Sequence, residues 1–234
     1  MILNKYPSKS AYLEIVLCYF IVTRISPFDD IDVDLWNFSK NHYYYWLYSV
    51  FLIFFIVHFS KLTSSYDFRS EFFIPEFKLI FIWQAFLIFV KLLICVFLLL
   101  SIVYLCLLCF FPRLLQLWVE SDGVGFRWNI GTKQSLYLMA ITSLFTGGIE
   151  ELFYRAFIIT KLKQVGISSL IAAIISSSIF AYGHFYYGFI GFFVALIFGG
   201  FLACIYLIYK NIYYSIFVHS FYNIFVSVLL FLLD

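Results

Sequence analysis

The chain has 234 residues, of which 64% are hydrophobic, 24% aromatic and 12% charged, with a formal net charge of +2 and a mean hydropathy of +0.98. A soluble domain is about 45–50% apolar and about 25% charged, so this composition excludes a soluble globular protein and points to an integral membrane one whose first partner is the lipid bilayer. The small net charge and the lack of any basic run exclude a nucleic-acid partner.

A membrane-crossing helix needs about 20 apolar residues. Candidate spans fall near 11–27, 43–60, 79–111, 134–160, 167–186, 189–209 and 212–233. The first carries Glu14 and lacks a convincing small-residue cleavage site, so it reads as a retained helix and not a signal peptide. Segment 26–42 is acidic and leads through Trp36 to a run of tyrosines, the pattern of an interfacial aromatic belt. The third stretch has no Gly or Pro before Pro112. It would run about 50 Å as a helix, against a hydrocarbon core of about 30 Å. It reads as one long tilted helix, which makes seven spans; a break near Lys91 makes eight. Segments 61–78 and 113–134 are polar connections.

Lys5, Lys9, Lys61, Arg69, Lys78, Lys161, Lys163 and Lys210 then share one side, and Arg24, Lys40, Arg113, Arg127 and Lys133 the other. The excess of basic residues favours an N-terminus inside. Cys18, Cys95, Cys106, Cys109 and Cys204 lie in apolar stretches without metal or redox spacing and read as small buried hydrophobes. The fold class expected is all-α: one polytopic bundle of about seven transmembrane helices. Residues 1–133 carry no motif, and 134–234 hold the polar residues that carry chemistry.

An ionisable group at mid-bilayer costs about 2.5–3.5 kcal/mol on insertion scales, so each one invites a functional explanation. Past residue 134 the intramembrane polar set is Glu150, Glu151, Arg155, His184, His219 and Asn223. Glu151 and Arg155 are four apart and share a helix face, acid first, the favourable order for a pair. Glu150 is turned about 100° from Glu151 and stays out of that pair. Phe180 and His184 share a face, as do His219 and Asn223. Gly166 marks a turn; Glu150 lies 16 residues before it and His184 18 after it, so an antiparallel hairpin brings them to one depth. The last span starts on the Gly166 side and brings His219 and Asn223 to about the same level. Gly147, Gly148, Ser176, Ser177, Ser178, Gly183, Gly199 and Gly200 surround them, and small residues let helices approach closely. A carboxylate and an imidazole at one depth can activate water, and a second His with an amide one turn on can hold an oxyanion. That is a hydrolase layout, with Glu150 as base, His184 as its partner, and His219 and Asn223 as oxyanion donors.

The same residues spell E-E-x-x-x-R (Glu150, Glu151, Arg155), F-x-x-x-H (Phe180, His184) and H-x-x-x-N (His219, Asn223). In order and spacing these resemble the three motifs of the CPBP family, the CAAX proteases and bacteriocin-processing enzymes also called the Abi family. The resemblance covers 134–233. One departure is Ala156, where the family often has glycine. The resemblance implies an intramembrane endopeptidase that hydrolyses a peptide bond of a membrane-associated peptide or protein, in peptide maturation or bacteriocin self-immunity, in a bacterial cytoplasmic membrane. It implies the same roles for Glu150, His184, His219 and Asn223, with Glu151, Arg155 and Phe180 as structural support. It also implies chemistry without a metal or other cofactor; if zinc is used, Glu150, His184 and His219 supply three ligands and leave one position open. The alternative is a non-catalytic membrane scaffold or immunity protein that keeps the motifs and binds a peptide or partner.

Overall fold

A computed structural model describes residues 12–19, 41–63, 68–113, 133–185 and 188–233. Among the described residues the regular elements are all helical. They are α1 (12–19), α2 (Asn41–Thr63), α3 (Phe68–Glu71), α4 (Ile80–Phe110), α5 (Lys133–Glu150), a π-helical segment (Glu151–Ile158), α6 (Ile159–Gln164), α7 (Ser169–Gly183), α8 (Gly188–Tyr209) and α9 (Ile212–Leu233). Four stretches are long and apolar enough to cross a membrane: Ile80–Leu98, Leu136–Gln164, Gly191–Tyr209 and Ile212–Leu229. Trp46–His58 and Ser169–Gly183 are shorter apolar helices. The span expected at 11–27 is described only over 12–19, and most of the expected connections 26–42 and 113–134 lies outside the described residues.

The long third stretch is one uninterrupted helix, α4, with no break at Lys91. Its 31 residues extend about 46 Å at the α-helical rise. It runs parallel to α9, because its aromatic contacts climb both helices together: Phe81 on Tyr213, Phe86 on Phe221, Phe89 on Phe225. Ala85 and Phe89 are buried on that side, while Phe97, Ile102 and Phe110 face outward. An apolar side chain needs no protein partner where acyl chains surround it, so one buried stripe is enough to hold such a helix.

At the centre stands the rod formed by α5, the π segment and α6. All eight residues of the π segment are buried, as expected of a helix packed on every side. The chain reverses at Val165–Gly166, where Gly166 adopts φ 93°, open to glycine without strain, and α7 returns beside the rod. α8 packs along α7 and α9, and α9 also packs against α5 and α4. α8 and α9 are joined by Lys210 and Asn211, and the Asn211 Oδ1 accepts the Tyr213 N–H at 3.0 Å, an N-cap for α9. Residues 71–73 clamp the end of this assembly. The Glu71 carbonyl accepts from Thr160 Oγ1 at 3.2 Å, its carboxylate from Gln164 Nε2 at 3.2 Å, and the Phe73 carbonyl from the Ile212 N–H at 3.0 Å. α2 seals the opposite flank, with Trp46 Nε1 donating to Thr142 Oγ1 at 3.0 Å and its ring stacked on Phe145.

Two expectations need correction. Only Cys18 is buried; Cys95, Cys106, Cys109 and Cys204 are exposed, since a small thiol is as comfortable against lipid as in a core. Lys161 is not a loop charge. It is fully buried, with its Nζ 2.7 Å from Glu14 Oε2 of α1, so it carries no weight in the sidedness count. The acid in the first apolar stretch and the base near the hairpin turn neutralise each other, tying α1 to the core. Removing one partner of a buried pair strands the other charge and costs about 3–5 kcal/mol. Lys161→Leu is therefore expected to lower the melting temperature in detergent sharply, and Glu14→Leu combined with Lys161→Leu to recover most of the loss. A double variant no more stable than the single one would refute this coupling.

Candidate active site

The site is built where α5 passes into the π segment. Consecutive residues of a helix point about 100° apart, so Glu150 and Glu151 cannot both reach Arg155. Glu151 does: its Oε2 lies 3.3 Å from Arg155 Nε, with both side chains fully buried. The other oxygen of Glu151, Oε1, lies 2.9 Å from Nδ1 of His219 on α9. Glu150 comes to the far side of the same ring, its Oε2 3.6 Å from His219 Nε2. One imidazole is thus inserted between two neighbouring carboxylates, each facing one ring nitrogen. Divergent directions that keep the two acids apart on their own helix match the divergent directions of the two nitrogens. The sequence reading coupled Glu151 to Arg155 alone; its link to His219 crosses between helices and has no signature in local spacing.

Arg155 is held from three sides. Besides Glu151, its Nη2 donates to the Gly199 carbonyl of α8 at 3.4 Å, and its guanidinium lies 4.6 Å from the Phe180 ring centroid, a cation–π geometry. Phe180, 2% exposed, is the hub of the site. Its ring packs on His184 at 4.4 Å, Tyr154 at 5.2 Å and His219 at 5.9 Å. α7 ends at Gly183, and His184 caps it. Its Nδ1 lies 2.8 Å from the Phe180 carbonyl, one of the orphan acceptors at a helix C-terminus. A carbonyl cannot donate, so Nδ1 carries a proton in this contact. The four-residue spacing of F-x-x-x-H is what lets the ring reach back to that carbonyl.

Depths agree with the hairpin reasoning. Ser176 Oγ donates to the Tyr154 carbonyl, and the Tyr154 ring meets Phe180. Extending the Tyr154–Phe180 pairing one turn in each direction brings Glu150 level with His184. The serine also answers a local need. A π turn shifts the backbone hydrogen-bond pattern to i→i+5, and Ser176 supplies an additional donor to a carbonyl inside that segment. Asn223 lies one helical turn from His219 on α9 and is half-buried; among the described residues its side chain makes no hydrogen bond. Glu150, His184, His219, Glu151, Arg155 and Phe180 are therefore one connected cluster, with Asn223 at its edge.

Close approach depends on two glycines. A Cβ on Gly147 would sit 2.6 Å from Ser220 Oγ and 3.0 Å from the Ile216 carbonyl of α9; one on Gly199 would sit 3.0 Å from Phe180 and 3.5 Å from Arg155 Nη2. Gly200 has nothing within 4 Å. Among the described residues no three His, Cys, Asp or Glu side chains form a metal-binding group.

Residues 132–225 match the model of a protein family described as Type II CAAX prenyl endopeptidase Rce1-like, which is part of the CPBP family. The chain carries a CPBP-family domain. No curated protein and no solved structure matches it significantly. The matched region covers all three motifs and the helices that present them, and together with the apolar helices it indicates an integral membrane protein. Within this CPBP domain Gly147→Ala is expected to push α5 from α9, costing about 1–3 kcal/mol as overpacking does and displacing His219. Gly200→Ala should leave stability unchanged or raised. Thermal unfolding of the two variants side by side checks this, and equal behaviour would remove the close-packing argument.

Proposed function

We propose that this protein hydrolyses a peptide bond of a membrane-associated peptide or protein, within the bilayer, with Glu150 as general base. The observation that carries the reading is the division of the cluster by exposure. Glu151 and Arg155 are fully buried and His219 is 3% exposed, whereas the Glu150 side chain is 25% exposed and His184 and Asn223 are half-buried. The support is sealed in, and the acid that must meet substrate is reachable.

In this mechanism a water lies between Glu150 and His184. The Nε2 of His184 orients the water, and Glu150 takes its proton. The water oxygen attacks the substrate carbonyl. His219 Nδ1 is engaged by Glu151, and its Nε2 faces the Glu150 side of the site. That Nε2–H and the Asn223 amide then serve as oxyanion donors. Breakdown of the intermediate expels the amine, which leaves with the proton returned by Glu150. The reaction includes no metal step. The resemblance in all three motifs supports a biological setting of peptide maturation or bacteriocin self-immunity in a bacterial cytoplasmic membrane.

The test is peptidomics on membranes of the native host expressing Glu150→Gln or His184→Ala. Both substitutions are expected to abolish the same cleavage, by at least about 100-fold as loss of a positioned base does, at normal protein level. Cleavage persisting in either variant would remove that residue from water activation. Exhaustive chelation is expected to leave the rate unchanged; activity lost to chelator and restored by zinc would overturn the metal-free step.

A further inference from the structure

The motif E-E-x-x-x-R leaves position 154 open, and this chain places a tyrosine there. Tyr154 is 6% exposed. It follows Glu150 by four residues, so it sits one turn along on Glu150's side of the rod, close enough for the carboxylate and phenol to interact electrostatically. Its position is tightly determined. The ring meets Phe180 edge-on at 5.2 Å and Phe153 at 5.0 Å, and its backbone carbonyl is held by Ser176 Oγ. The phenol tip reaches across to α7, 3.4 Å from where a Cβ on Gly183 would stand. Gly183 directly precedes His184, so the hydroxyl stands beside the residue that carries that imidazole. Among the described residues this hydroxyl makes no hydrogen bond. Packing alone needs no hydroxyl: a phenylalanine would make every ring contact just described.

We propose that the Tyr154 hydroxyl is a further catalytic group, donating a hydrogen bond to the carbonyl oxygen of the scissile bond as it becomes an oxyanion. This rests on the hydrolytic reading above. The water oxygen bonds to the carbonyl carbon, the C=O π pair moves onto oxygen, and the water proton passes to Glu150. Tyr154 keeps its own proton and donates to the new oxyanion. On collapse the pair re-forms C=O, the C–N bond breaks, and the amine takes the proton from Glu150. A donor on a ring fixed by Phe180 and Phe153 is already in place when charge develops, which is the condition under which such donors are most effective.

The experiment compares wild type, Tyr154→Phe and Glu150→Gln, purified in detergent, on a quenched fluorescent prenylated CAAX peptide, the substrate class printed in the name of the matched family. Tyr154→Phe is expected to lower kcat about 100-fold, the usual effect of removing one oxyanion donor. KM and melting temperature should stay as in wild type. A Tyr154→Phe enzyme within twofold of wild type in kcat, beside an inactive Glu150→Gln, overturns the proposal and leaves the hydrolytic reading standing. Loss expressed in KM or in melting temperature, with kcat intact, assigns the hydroxyl to binding or folding and also overturns it. An active Glu150→Gln takes down the hydrolytic reading and this proposal with it.

Discussion

The rest of the site depends on one imidazole being lodged between two adjacent carboxylates. A helix at membrane depth tolerates a charge only if something opposite meets it, and Glu150 and Glu151 bring two like charges to neighbouring positions. Arg155 answers one of them. His219 answers both, through Nδ1 at 2.9 Å and Nε2 at 3.6 Å. It can do so only because it belongs to another helix and enters from the side, where the two acids diverge. This contact joins α9 to the central rod and makes the depth of α9 a consequence of electrostatics as well as of packing.

Such an arrangement requires backbones closer than ordinary side chains allow. Gly147 gives α9 its approach to α5, and Gly199 gives Arg155 and Phe180 their place beside α8. Buried polar backbone groups created by this geometry are satisfied from neighbouring helices: the Tyr154 carbonyl by Ser176, the Gly199 carbonyl by Arg155, the Ser143 carbonyl by Ser220. Inside a membrane these partners matter because no bulk water is at hand to replace them. The π segment fits the same picture. It is buried on all sides, and it lies within the helix that bears the charges.

Both histidines commit the same nitrogen, Nδ1, for different reasons. His184 gives its Nδ1 to the carbonyl four residues before it; His219 gives its Nδ1 to Glu151. In each case an acceptor holds a proton on Nδ1 and turns Nε2 to the other side of the ring. The Phe180 ring between them keeps the two imidazoles apart while contacting both. Burial then separates the parts: ion pair and aromatic hub inside, Glu150 and His184 at the accessible edge. Hydrolysis needs such a division, because a base sealed from substrate is only a structural charge.

Much of this was legible in the amino-acid sequence. Hydrophobic stretches of membrane length, the helical hairpin about Gly166, the unbroken α4 and the i,i+4 pairing of Glu151 with Arg155 all follow from composition and local periodicity, because each depends on residues near one another in the chain. The motif spacings likewise identify which side chains share a face, and the hairpin arithmetic brings Glu150 level with His184. Tertiary structure alone decided that Glu151 reaches His219, that Lys161 finds Glu14, that Ser176 serves the Tyr154 carbonyl, and that four of the cysteines face outward. Those are contacts between helices far apart in sequence. Rotation about a helix axis sets them, and that rotation is settled only when glycines, aromatic rings and buried charges from several helices are packed at once.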